Sequence, residues 1–289
     1  MALSSNLSFQ LGTTGTILND DSVPNVPFID VTRVSGLDNA PYRQTKRDHE
    51  GIDGGFMDAE FESGRDLILD GILYANNNPI EPILDSLKAN FSPSKVLIPF
   101  YFLSSDVGTR FVMVKPLGVK YDWDDLRRIG CCTIQIAMYA EQPMIFDNVL
   151  VSTVMVIGAT VFTGFGFSLG FSFGFGGTST TADGVFVING GNRATPPLLT
   201  IQGPATNPII YNDTVSKNLS FNITLASTQT LVIDPYYRTV RLNGTTNRRS
   251  TLVNAGWFYL EPGNNFIKFR STNGADTGFL TMAYRNAWR

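Results

Sequence analysis

Apolar residues fall on every second position over most of the chain and are punctuated by Gly, Asn, Pro and Asp. That is the period of half-buried strands, not of helices. In LSFNITL, residues 219–225, the Leu, Phe, Ile and Leu face one way and the Ser, Asn and Thr the other, as in a strand with one side in a core. The same pattern predicts strands at 65–73 (RDLILDGIL), 94–103 (SKVLIPFYFL), 109–118, 132–140, 230–237, 266–270 and 279–285. Asn243-Gly244, just beyond RTVRL, supplies a hairpin turn.

One segment departs from period two. In NNPIEPILDSLKANF, Ile80, Ile83, Leu87 and Phe91 share one helical face, which predicts a helix over 79–91 with Pro79 and Pro82 in its first turn and Asn78 as its cap. A second, shorter helix or turn is expected within 121–130. No repeat of the order of 20 to 50 residues is visible, which argues against a solenoid or propeller.

The densest alternation is GFGFSLGFSFGFGG, residues 164–177. Phe165, Phe167, Leu169, Phe171, Phe173 and Phe175 occupy the odd positions, Gly or Ser the even ones, and no charge lies between Asp147 and Asp183. A membrane helix needs about 20 apolar residues, but here the period is two and the flanks are acidic. A disordered Phe-Gly segment would repeat over a far greater length in a polar background. What remains is an extended strand whose odd face is covered. Aromatic side chains bury roughly 150 Å² each, so the face would expose on the order of 800 Å², against the few hundred Å² that a soluble monomer tolerates. Either the chain's own core or a second subunit covers it, and the small even residues let another backbone approach.

At 289 residues, 43% hydrophobic and 16% charged, the chain can bury enough core for two domains. The texture changes near 178, beyond which short strands, turns and prolines crowd together (TPPLLTIQGPATNPIIYN). The expected division is therefore 1–178 and 179–289. The fold class is mainly β: an N-terminal β-sandwich or split-barrel-like domain carrying the helix, then an antiparallel β-sandwich.

Charge removes several function classes. A net charge of −3 lacks the footprint of a dedicated nucleic-acid binder, and the basic residues at 43–47 and at Arg248 and Arg249 read as solvated faces. Adjacent Cys131 and Cys132 read as free thiols of a reducing compartment. The start, MALSSNLSFQLGTTG, lacks the basic and apolar regions of a signal peptide, so synthesis in a cytosol is expected. The six Asn-x-Ser/Thr sequons are then chance products of composition.

Catalytic signatures are missing. There is one histidine, His49, and neither a nucleophile elbow, a zinc-protease motif nor a phosphate-binding glycine loop. Asp122, Asp124 and Asp125 lack the Gly and Glu of a calcium loop. Glu60 and Glu62, with Asp122, are the carboxylates a glycosidase would need, and geometry alone could pair them. Trp257 could stack on a sugar, although a core or interface position is the plainer reading. The residues themselves describe a two-domain, mostly β, non-enzymatic protein without cofactor or metal.

The order of motifs resembles the distal tail protein (Dit-like) family of long-tailed phages. VSGLDNAPYRQTKRDHEGIDGG, FESGRDLILDGIL and the PIEPILDSLKANF helix are similar to that family's N-terminal pattern, in which an Arg opens an alternating strand that ends in Gly. CTIQIAMYAEQPMIF resembles the family's strand ending in an acidic-Pro segment, here with Gln142 between Glu141 and Pro143. The 164–177 stretch stands where relatives carry a Phe/Pro-rich link, with Gly or Ser replacing the prolines. GNRATPPLLTIQGPATNPIIYN, TLVIDPYYRTVRLNG and WFYLEPGNNFIKF resemble the family's galectin-like sandwich.

The resemblance implies a structural protein of the virion, assembled in the host cytoplasm. Its partners would be itself, as a homohexameric ring, the tail-tube protein, the tail tip or hub protein, and tail fibres or a receptor-binding protein. DNA would only pass through the lumen, and no membrane insertion is implied. The alternative is a carbohydrate-binding module for host-surface glycans. On either reading, the six apolar positions from Phe165 to Phe175 are the candidate interface.

Overall fold

The computed structural model describes residues 7–13, 15, 17–19, 26–38, 40–57, 61–104, 108–157 and 184–289, together with the backbone of 165–168 and 172–175. Among these residues the chain is mainly β with one α-helix. It divides into two compact units, residues 1–148 with Trp288–Arg289, and residues 149–287.

The first unit contains β1 (Leu7–Leu11), β2 (Phe28–Ser35), β3 (Arg65–Tyr74), α1 (Ile80–Asn90), β4 (Ile98–Ser104), β5 (Gly108–Tyr121), β6 (Cys131–Ala140) and β7 (Ile145–Asp147). The antiparallel order is β1-β4-β5-β6-β3-β2. Strand β5 serves two neighbours in succession: residues 108–114 pair with β4 and residues 115–121 with β6. The register shifts between Pro116 and Gly118. Pro116 has no N–H to donate and Gly118 takes φ 137°, so the strand bulges and turns from one half of the sheet into the other.

Alternation then fills the core. Leu67, Leu69, Leu73, Val112, Val114, Ile134, Ile136 and Met138 point inward, where Phe9 stacks on Phe100 at 5.8 Å and Phe102 meets both edge-on. Helix α1 closes this core with Leu84, Leu87 and Phe91 buried and Ile80 and Ile83 packed at its margin. Its cap differs from expectation: Pro79 holds the cap position without a side-chain bond, and the Asn78 amide donates instead to the Ala75 and Asn76 carbonyls. The expected turn within 121–130 is a 3₁₀ helix, Asp125–Ile129.

The second unit begins with β8 (Val151–Val156) and the hairpin β9 (Phe165–Ser168) and β10 (Ser172–Phe175). There follow β11 (Val185–Asn189), β12 (Leu198–Gln202), β13 (Ile209–Asn212), β14 (Lys217–Phe221), β15 (Thr230–Asp234), β16 (Thr239–Leu242), β17 (Leu252–Ala255), β18 (Gly263–Arg270) and β19 (Phe279–Tyr284). One antiparallel sheet runs β8-β19-β12-β15-β16 and the other β11-β18-β13-β14-β17. Leu199, Ile201, Ile233 and Leu280 from the first share a core with Val187, Ile210, Leu219, Ile267 and Phe269 from the second. Two sheets closing on one core make a β-sandwich. The Asn243-Gly244 turn forms as read, with positive φ of 50° and 73°.

Three expectations change. The division falls at 148/149 where the sequence places it at 178, because β8 is hydrogen-bonded along its length to β19 of the sandwich. The 219–225 strand is split: β14 ends at Phe221, and Thr224–Leu225 pairs with Ala205–Thr206 instead. Its alternation survives the break, with Leu219, Phe221 and Leu225 buried. The 164–177 stretch is not one strand. Its backbone folds into a hairpin that pairs Phe165 with Phe175, Gly166 with Gly174, Phe167 with Phe173 and Ser168 with Ser172. Leu169 and Phe171 lie outside the described residues.

Candidate functional site

Between β2 and β3 the chain leaves the sheet as a two-stranded arm that the sequence reading missed. Tyr42 and Arg43 pair with Glu62 and Phe61, and Lys46, Arg47 and Asp48 pair with Met57, Phe56 and Gly55. All residues from 41 to 57 are exposed. Among the described residues, these short strands pair only with each other. The available signal was the run RQTKRDHEGIDGG, which has turn residues at its centre and almost nothing to bury.

The arm's root is held tightly. Arg65, the first residue of β3, is 1% exposed, and its guanidinium donates to the carbonyls of Gly36 at 3.3 Å and Asp38 at 2.9 Å, and to that of Pro143. A planar fork of donors suits several carbonyls where an ammonium would not. Gly36 adopts φ 88°, and a Cβ there would stand 1.9 Å from the Asp66 carbonyl oxygen. The Arg and Gly of the two N-terminal motifs therefore fix where the arm leaves the sheet.

A second exposed surface surrounds the 3₁₀ helix. Trp123 is 75% and Ile129 73% exposed, with Leu126 beside them and Asp122, Asp124 and Asp125 interleaved. Asp124 caps the helix by accepting from the Leu126 N–H at 3.2 Å. Arg127 lies 3.6 Å over the Trp123 ring and pairs with Glu81.

The remaining candidates are dispersed. His49 sits on the exposed arm, its ring 5.1 Å from that of Phe56. Glu62 accepts from the Tyr42 hydroxyl at 3.3 Å and meets Arg289 at 3.8 Å, while Glu60 lies outside the described residues. Cys132 is buried, which pushes its thiol pKa up and leaves it a poor nucleophile. Trp257 packs at the margin of the sandwich core with Arg249 5.7 Å from its ring, the plainer of its two readings. Among the described residues, no three His, Cys, Asp or Glu side chains gather where they could hold a metal ion. No described helix is long and apolar enough to cross a membrane.

Residues 190–288 match the family model of the siphovirus-type tail component, C-terminal domain. In fold, the chain is similar to the SPP1 Dit (gp 19.1) protein, described as a paradigm of the hub adsorption apparatus in phages that infect Gram-positive bacteria. The TM-score is 0.63 at 16% identity, covering 96% of this chain and 98% of that one. The phage P2 baseplate in its activated conformation with Ca gives a TM-score of 0.47 at 11% identity, over 96% of this chain and 97% of that one. None of the curated proteins matches the sequence.

Proposed function

We propose that the chain is a structural adaptor of a siphovirus-type phage tail, Dit-like in fold, and not an enzyme. Its copies close into a homohexameric ring that joins the tail tube to the tail tip or hub protein and supports the adsorption proteins. The match of residues 190–288 to the tail-component family carries this reading. In this account the first unit forms the ring, and the sandwich, galectin-like in type, faces neighbouring tail proteins.

In the same reading the hairpin positions Phe165, Phe167, Phe173 and Phe175, with Leu169 and Phe171 between them in the sequence, are the proposed seam between subunits. Their support is the uncharged run from 148 to 182 and a register that sets Phe opposite Phe. Phe167→Asp tests the seam, because it places an unpaired charge in any apolar contact. Loss of assembly with an intact fold supports an interface, and assembly and melting like the parent remove it. The adaptor role itself is tested by mixing the chain with its tail-tube protein and imaging the product. Sixfold rings seated end-on are expected, and a chain that stays monomeric in the mixture contradicts the role.

Glycan binding is favoured by one feature of the sandwich, a polar groove of about 400 Å³ lined by Tyr237, Arg238, Arg241, Asn247 and Arg249, with Tyr237 60% exposed. Binding of the whole chain to host cell-wall glycans, lost in Tyr237→Ala, would support it. No binding above background would remove it.

A further inference from the structure

We propose that the groove at the β16 edge of the sandwich binds a phosphate-bearing glycan, its guanidinium groups taking the phosphate and its polar side chains and Tyr237 the sugar. The inference rests on the glycan reading of this groove and names the chemistry of its ligand.

Charge singles the groove out. The chain carries a net charge of −3, yet between Asp234 and Glu261 the sequence has four arginines, Arg238, Arg241, Arg248 and Arg249, and no Lys, Asp or Glu. Strand pairing brings them together. β16 lies between β15 and Thr246–Asn247, which forms the edge of the sheet. Arg241 is opposite Asn247, and the Arg248 N–H donates to the Val240 carbonyl at 2.8 Å. Arg238, Arg241 and Arg249 line one groove as a result.

The fold does not neutralise these cations. All three are exposed, and among the described residues none of them forms an ion pair. Asp234 is the one carboxylate on the three strands. Its Oδ1 already accepts from the N–H groups of Tyr236 and Tyr237, at 2.9 Å and 3.1 Å. Even at full charge it leaves four arginines against one aspartate, a local excess of +3.

Two of the arginines are held in place. The Arg249 guanidinium donates to the Arg238 carbonyl and stands 5.7 Å from the Trp257 ring. Arg238 has φ 52°, a left-handed backbone in which Gly would be unstrained. The turn thus carries a costly Arg where Gly would suit it, and what the Arg adds is a further guanidinium on the groove.

One carboxylate is satisfied by one guanidinium. Several guanidinium groups on one small groove suit phosphate, whose oxygens take parallel N–H bonds from each planar fork. The rest of the lining fits a sugar: the Thr245 hydroxyl and Asn247 amide can bond its hydroxyls, and the exposed Tyr237 ring can stack on its apolar face. A groove of about 400 Å³ holds a ligand of that size. The negative charge of the whole chain disfavours a long nucleic acid.

The test is calorimetric titration of the whole chain with a phosphorylated mannan and with the same mannan after phosphatase treatment. The phosphorylated form should bind about tenfold more tightly, and Arg241→Gln and Arg238→Gly should each weaken its binding by about as much. Because Gly suits the backbone at 238, Arg238→Gly should melt no lower than the parent, so that lost binding is not lost folding. Equal binding of the two mannans would overturn the phosphate while leaving the glycan reading in place. Binding of the phosphorylated form that both variants retain would put the site elsewhere and overturn the inference. A DNA oligonucleotide of equal phosphate number that binds as tightly would show a general polyanion surface and remove the glycan. If neither mannan nor host cell-wall glycan binds, this inference and the glycan reading fall together, and the adaptor role is untouched.

Discussion

The guanidinium carbon of Arg110 lies 3.9 Å from the centroid of the Trp288 ring, and both residues converge on Asp147. The Trp288 indole N–H donates to Asp147 Oδ1 at 2.7 Å, and Arg110 Nε stands 3.4 Å from the same oxygen. The last residues of the chain thereby return to the first unit, which they left at residue 148. Trp288→Ala removes a cation–π contact, a hydrogen bond and ring burial together. It should cost the first unit about 2 kcal/mol in chemical denaturation. An unchanged midpoint would show that the chain end contributes nothing to this unit.

Arg65 makes a stronger case. Arg65→Met keeps the bulk but leaves the carbonyls of Gly36, Asp38 and Pro143 without their donor. A loss of about 3 kcal/mol is expected. Protease cleavage within the 42–57 arm should also accelerate, because its root is no longer pinned. Equal cleavage rates in the two proteins would mean that the arm is positioned by something else.

Gly36→Ala tests the same root by a different mechanism. The positive φ and a Cβ 1.9 Å from the Asp66 carbonyl oxygen both oppose a side chain. A fall in stability of at least 1 kcal/mol is expected, whereas Ala at exposed Gly51, where nothing stands within 4 Å of a Cβ, should cost less. Equal effects at the two positions would argue against steric strain at the root.

Asp276 gives the sandwich a pH dependence. Partial burial would raise its pKa, but bonds from the Ser271 hydroxyl, the Thr206 N–H at 2.6 Å and the Asn273 amide outweigh this and hold it below the ordinary 3.8. A depressed folded pKa means that the carboxylate stabilises fully above 3.8 and that this increment is lost as pH falls from there through the folded value. Asp276→Ala should therefore lower stability by about 1 to 2 kcal/mol at pH 7, and by clearly less at pH 3. A gap between variant and parent that stays constant from pH 7 to pH 3 would show that the carboxylate charge plays no part.

Much of the fold was legible because alternation records burial directly. Arg65–Tyr74 and Cys131–Ala140 lie close to where period two puts them, and Leu84 joins the anticipated helix face one turn beyond Ile80. What period two does not encode is pairing partner. It gave no sign that β8 belongs with β19, so the division was placed too late, and it could not tell one long strand at 164–177 from two strands folded back on each other. The arm was illegible for a related reason. Its residues bury nothing within the chain, so they carry no burial period to read.

The ring is the central claim, and the mass of the purified assembly tests it most directly. Light scattering or mass photometry, followed by negative-stain images of the largest species, should show a sixfold ring of six times the 31.7 kDa chain mass. A protein that stays at the mass of one chain, alone and when mixed with its tail-tube protein, would contradict the account.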